Sequence, residues 1–350
     1  MNHYRLLRRT ALAGVLALPI LTTGCGLFSQ EASQPIDPPQ GNTGNAVSWE
    51  DNGNAVQPGE GTQLTVYYKD RNGKLAPVTV LAALGSEEKA GQKALEMMVE
   101  GGPLANEIPE GFQAVLPQGT QVIGYNVVAD QKLAIVDFSQ SFTDYNAMDE
   151  RSIVEAVTWT LTGMHNIEKV KIWVDGQELL EMPVDGLPLD EPLTRAVGIN
   201  LEAQEGINYS QSTPVTLYFS AVTPNDETYY VPITRLINRT DNRAKAAIEQ
   251  LISGPVGSNE LEAVMTPDVI VKNVTKKNDI ATVELEYSGY EEGQQAPAEM
   301  MQALVLAMTE NTGLAKVQIK INGKSNVKDT NNQSYSEPVS RPQHMNAFKS

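Results

Sequence analysis

The feature that most constrains this chain is an internal repeat. Leu64-Thr65-Val66-Tyr67-Tyr68 is matched by Val215-Thr216-Leu217-Tyr218-Phe219. Ala94-Leu95-Glu96 and Gly101-Gly102-Pro103 return as Ala247-Ile248-Glu249 and Gly254-Pro255, and Ala114-Val115-Leu116 returns as Ala263-Val264-Met265. Ile153 to Gln177 then aligns without a gap on Met300 to Lys324, with Lys169-Val170 against Lys316-Val317 and Asp175-Gly176 against Asn322-Gly323. Order and spacing hold throughout, so one small fold is used twice, over 63–182 and 213–324, with a Pro- and acid-rich linker over 183–212. A chain of 350 residues, 41% of them hydrophobic, has material for two such cores.

Two aligned copies let each element be tested twice. Gly91, Ala94, Leu95, Met98 and Val99 fall at i, i+3, i+4, i+7 and i+8, as do Ala244, Ala247, Ile248, Leu251 and Ile252, which is one face of an α-helix. The Gly-Pro that follows is expected to end both helices. Ile153, Ala156, Val157, Thr160 and Leu161 predict a second helix, matched by Met300, Ala303, Leu304, Ala307 and Met308. Strands alternate instead. Ala134, Val136 and Phe138 face inward with Ala281, Val283 and Leu285, and Val170, Ile172 and Val174 with Val317, Ile319 and Ile321. An extra strand is expected near Val78–Leu81 and Val231–Leu236, and Asp-Gly and Asn-Gly supply turns. Each copy therefore reads β(β)α-ββ-αβ, an α+β, two-layer domain with two helices on one face of a small mixed sheet whose other face is wet.

The first 24 residues have the form of an export signal. Arg5, Arg8 and Arg9 precede the apolar stretch Ala11 to Leu21, which is too short to span a bilayer comfortably. Leu21-Thr22-Thr23-Gly24-Cys25 resembles a lipobox, with Thr22 where a leucine is usual. Cys25 is the single cysteine, so no disulfide can form within the chain, and it is expected to carry lipid. Two or three acyl chains there would anchor the protein stably on the outer face of the cytoplasmic membrane. Residues 26–62 are poor in branched apolar side chains and are expected to form a flexible tether; 325–350 are expected to form a disordered tail.

Charge excludes one partner class. The net charge is −17, and the signal carries three of the basic residues and no acid, so the processed chain is more negative still. Nucleic acid needs a basic face and is not expected. Catalytic chemistry is sparse. Of three histidines, His3 leaves with the signal, His344 lies in the tail, and His165 follows a helix opposite Thr312 in the other copy. Metal and cofactor sites are not expected, since ligands do not cluster and phosphate-cradling or G-x-S-x-G motifs are missing. Asp137 and Glu284 occupy equivalent strand positions and could serve as acid or base, but the wet face of a sheet explains them better. Asp70-Arg71-Asn72-Gly73 suits a hairpin turn better than a calcium loop. Trp159 suits either a structural or a functional place. Trp173, on the outward register where the other copy has Lys320, is the candidate protein contact.

Taken together, the T-V-Y-Y strand, the Pro-Val-Thr and Pro-Ile-Thr strands, the A-L/I-E…G-P helix end, the A-V-L/M segment and the closing Lys-Val strand with Asp-Gly or Asn-Gly resemble the GerMN domain family. Two such domains behind a lipobox are similar to sporulation and germination lipoproteins of spore-forming Firmicutes. That resemblance implies a fold similar to ring-building motifs and a non-enzymatic role. It implies as partners the proteins of the channel complex between mother cell and forespore. It brings no catalytic residues. Two other readings suit a lipid-anchored protein with two lobes: one that acts on or binds peptidoglycan, and one that binds solutes. The one-sided sheet pattern argues against the doubly wound lobes usual in the latter.

Overall fold

In the computed structural model, residues 61–84, 89–203, 206–257 and 260–348 are described. The export signal, Cys25 and nearly all of the expected tether lie outside them.

The first copy runs β1 (Thr62–Asp70), β2 (Leu75–Ala82), α1 (Ala90–Met97), β3 (Phe112–Gln113), β4 (Val122–Val128), β5 (Leu133–Phe138), α2 (Ala147–Thr162), β6 (Lys169–Val174) and β7 (Gln177–Glu178). After β8 (Glu202–Ala203), the second copy runs β9 (Ser212–Val222), β10 (Thr228–Asn238), α3 (Arg243–Ser253), β11 (Val269–Lys277), β12 (Ile280–Tyr287), β13 (Gln295–Ala296), α4 (Ala298–Thr312), β14 (Lys316–Ile321), β15 (Lys328–Asp329) and β16 (Val339–Ser340). The fold is α+β, as the two hydrophobic periods require.

The second copy has a further parallel pair, β13 with β15, and each copy places its main strands in two sheets. One is an antiparallel hairpin, β1 with β2 and β9 with β10. The other is mixed, in the order β4-β5-β6-β7 and β11-β12-β14-β16. Its central pair is parallel in both copies, because a helix crosses over between β5 and β6 and between β12 and β14. Asp175 and Gly176, and likewise Asn322 and Gly323, all take positive φ, the conformation that the turn after the last inward strand needs.

The helix faces expected from spacing are buried, down to 0% exposure at Leu251, Ala156 and Leu304. Helix α1 stops earlier than expected, five residues before Pro103. Met98 turns away so that its carbonyl accepts the amides of Val115 and Leu116 at 3.0 and 2.8 Å. Helix α3 does run to Gly254, whose φ of 78° ends it. Helices α2 and α4 are buried on nearly every side: Trp159, Thr158, Val305 and Leu306 join the expected faces. They pack on a hairpin and a mixed sheet within their own copy, so the single-layer picture of helices over one sheet is incomplete.

The two copies do not hold separate cores. One hydrophobic cluster runs through both, and the described chain forms a single compact unit. The segments expected as linker and tail are part of it. Leu189, Leu193 and Ile199 of the linker are buried, and β8 adds to the second copy's hairpin in parallel with β10. The disordered tail expected over 325–350 is corrected by the structure, because residues 325–348 pack on the core. Val327, Tyr335 and Val339 are buried, and Asp329 closes a turn by accepting the amides of Asn331 and Gln333 and the Tyr335 hydroxyl. Polar composition was misleading there: few apolar residues suffice when each is docked on a surface that already exists.

Linker and tail make the same contacts. Leu193 bridges to Val170, and Val339 to the equivalent Val317. Each segment then crosses to the other copy. Ile199 donates its amide to Thr234 Oγ1 at 2.9 Å and accepts the Thr234 amide at 2.8 Å. Met345 does the same with Thr79, at 2.9 and 2.9 Å. The copies are thus related by an approximate two-fold, each strapped by the arm that follows the other.

Candidate functional site

The residues singled out from sequence fall in scattered places. Trp173 stands opposite Asp137 on β5 and Glu178 on β7. It is half-buried rather than exposed, and its indole N–H is enclosed without an acceptor. Asp137 accepts the Gly176 amide at 3.0 Å, which fixes the turn after β6. Glu284 lies on a different sheet, in register with Lys320. These two carboxylates are therefore not a catalytic pair. His165 is exposed past the end of α2. Asp70 closes its hairpin turn as expected by accepting the amides of Asn72 and Lys74, and it also accepts the hydroxyl of Tyr229 from the other copy at 2.9 Å. Among the described residues, no group of His, Cys, Asp and Glu is placed to hold a metal, and no helix is long and apolar enough to cross a membrane.

The two copies share a backbone plan but differ in surface chemistry. In the first, a cleft of about 510 Å³ opens beside the start of α2, lined by Gln113, Tyr145, Asn146 and Ile153 and by an ion pair of Lys69 with Asp149. The equivalents of that pair are Ser220 and Ala296, both buried, so the second copy lacks it. In the second copy, Lys276, Lys277 and Lys316 lie at one end of the mixed sheet, with Lys277 and Lys316 flanking Ile280 on neighbouring strands, while Lys320 stands further along β14 in register with Glu284. The first copy has Ala129, Asp130, Lys169 and Trp173 in those places. That end of the second copy's sheet is therefore basic in an acidic chain.

Between the copies lies a partly buried polar cluster that sequence reading missed. Glu310, near the end of α4, accepts from Arg195 Nη1 at 2.6 Å, from Arg341 Nη1 at 3.1 Å and from the Tyr218 hydroxyl at 3.3 Å. Arg341 Nη2 donates to the Tyr218 hydroxyl at 2.6 Å. Arg195 also lies over the Trp159 ring, 4.4 Å from its centroid, and Trp159 Nε1 donates to the Gly198 carbonyl at 2.7 Å. Burial pushes the Glu310 carboxyl up, but the guanidiniums of Arg195 and Arg341 outweigh it and hold the pKa below the usual value. Burial raises the Tyr218 hydroxyl well above its usual range, so it stays protonated. The position equivalent to Glu310 is Gly163, which leaves room for Arg195. One carboxylate therefore serves two symmetry-related arginines. The cluster ties the copies together, with about a quarter of each arginine side chain left exposed. A signal for it was present in the sequence, because Arg195-x-x-x-Ile199-Asn200 repeats as Arg341-x-x-x-Met345-Asn346, outside the aligned blocks.

Comparison with known proteins agrees with this architecture. The family model described as "Germane: Sporulation and spore germination" matches twice, over residues 65–180 and 216–327. The Spore germination protein GerM of Bacillus subtilis (strain 168) is 36% identical, over 95% of this chain and 96% of that protein. The solved structure of the tandem GerMN domains of the sporulation protein GerM from Bacillus subtilis superposes with a TM-score of 0.75 at 35% identity, covering 83% of this chain and 100% of that one. Two family matches in the order of the internal repeat, near-complete coverage of a relative and a shared tandem fold place this chain in the Germane family of sporulation and spore germination proteins.

Proposed function

We propose that this protein is a non-catalytic, lipid-anchored scaffold of the sporulating cell envelope. In this reading it is held through Cys25 on the outer face of the cytoplasmic membrane and contributes to assembly of the channel complex between mother cell and forespore. The observation that carries the proposal is the strapping of two diverged copies into one unit, in a chain whose relative is named for spore germination. Two arginines, a carboxylate and a tyrosine in the seam hold the copies together, and the surfaces left outward differ, basic at Lys276, Lys277 and Lys316 in one copy and clefted in the other. A rigid pair of dissimilar faces can hold two partners at a fixed separation and gains avidity when both engage. Trp173 is the proposed anchor on the first copy's sheet.

The test is complementation of a deletion strain with the tagged chain, followed by crosslinking and mass spectrometry of sporulating cells. We expect impaired spore formation on deletion, crosslinks from both sheet faces to membrane channel proteins, and loss of membrane retention with Cys25→Ser. Normal sporulation in the deletion strain, with no channel protein recovered, would reject the proposal.

A further inference from the structure

We infer that the outer edge of β2 is a peptide-binding groove. Its ligand is an extended segment of the pattern Ser/Thr-Arg-x-x-x-Ile/Met-Asn, and it can be filled by the C-terminal arm of a second copy of this chain. The pattern is defined by two independent examples in one molecule. Thr194-Arg195 to Ile199-Asn200 docks along β10, and Ser340-Arg341 to Met345-Asn346 docks along β2. In both, the penultimate residue of the pattern donates its amide to the hydroxyl of a threonine, Thr234 or Thr79, and accepts that threonine's amide. In both, the closing asparagine takes a left-handed backbone, φ 48° at Asn200 and 50° at Asn346, which few side chains besides Asn adopt readily. The Asn346 side chain then holds the amide and carbonyl of Tyr230, both at 2.9 Å, and the carbonyl of Pro77 at 2.6 Å. Conformation and hydrogen bonding therefore both select asparagine, and Arg341 is selected by Glu310 and Tyr218. Phe348 completes the contact on Phe112 and Tyr229, at 5.2 and 6.2 Å between ring centroids.

The two arms differ in one respect. The segment on β10 is continuous with folded elements on both sides, whereas among the described residues no helix or strand follows the one on β2. Exchange of this arm between two chains would recreate each of these contacts, a low-cost route to association. Within one chain the arm wins by its high effective concentration, so exchange belongs to conditions where the arm is released or chains are crowded.

The test uses the chain from Gly26 onward, which contains the whole compact unit. A version ending at Glu337 has an empty groove and is titrated with a fluorescent peptide of residues 338–350. Saturable binding is expected, weakened at least tenfold by Arg341→Ala with Asn346→Ala in the peptide. If the shortened chain does not fold, a protease site after Glu337 frees the arm in the folded protein, and exchange with labelled peptide is followed instead. For association of copies, Thr79→Pro removes the amide and hydroxyl that hold Met345. The Thr79 amide faces the arm and is not used by β1, so the hairpin ladder is spared. The released arm of this variant should fill the empty groove of the shortened chain, giving a one-to-one complex by sedimentation. That complex should disappear when the variant also carries Arg341→Ala and Asn346→Ala. Absence of peptide binding or exchange overturns the groove; peptide binding without the one-to-one complex overturns its use between copies.

Discussion

Asn200 and Asn346 make the same contact from opposite copies. The Asn200 side chain accepts the amide of Leu75 and donates to the carbonyls of Leu75 and Pro232, all at 2.8 Å. Asn346 accepts the amide of Tyr230 and donates to the carbonyls of Tyr230 and Pro77. Leu75 and Tyr230 are equivalent positions, as are Pro77 and Pro232. Each asparagine therefore joins both hairpins, and the pair forms the seam along the approximate two-fold.

Replacing either asparagine by alanine should destabilise the protein comparably. Three partly buried backbone groups lose their partners, which costs about 2–4 kcal/mol at roughly 1 kcal/mol or more for each. Urea unfolding of N200A and N346A checks this. A large loss in one variant and none in the other would show that the seam is carried by one arm alone.

Glu310→Gln should cost about 3–5 kcal/mol, because two guanidiniums lose their shared carboxylate. Acid dependence should change as well. The folded-state pKa of Glu310 lies below its unfolded value, so its contribution is complete above the unfolded pKa, near 4.3. It is lost as pH falls through the folded value. Wild type should lose stability over that acid range and E310Q should lose less, as measured by thermal unfolding at pH 3 to 7.

Leu251→Ala removes a side chain with no exposure on the inner face of α3, and should cost about 2–5 kcal/mol by chemical denaturation. A change near zero would mean that the repeat's first helix does not pack as described.

Amide exchange should separate a packed tail from a mobile one. The Met345 amide donates to Thr79 Oγ1 and the Tyr335 amide to the Val327 carbonyl, both at 2.9 Å. Protection well above random-coil rates but below that in β10 is expected for both, since the arm opens without global unfolding. Exchange at random-coil rates would contradict the docked arm.

Much of this fold was legible from sequence. Duplication supplied two versions of each pattern, so the buried faces of α2 and α4 and the inward strand residues could be assigned twice, and the Asp175-Gly176 and Asn322-Gly323 turns followed from local chemistry. Less legible were the segments after each repeat. Residues 192–200 and 338–346 are short and carry little apolar periodicity, because their order comes from docking on surfaces built elsewhere. Trp159 and Leu306, on the outer sides of α2 and α4, were a sign of this, since a helix apolar on more than one side needs a second cover.

By itself the sequence determined the class of fold, its duplication and the faces that turn inward, since 3.6- and 2-residue periods and turn residues act over a few neighbouring positions. Only the tertiary structure decided that the two copies share one core, that their arms cross, and that Glu310 meets both Arg195 and Arg341. Those contacts join groups more than a hundred positions apart in the case of Arg195 and Glu310, and their strength depends on burial and mutual geometry, which no local pattern encodes.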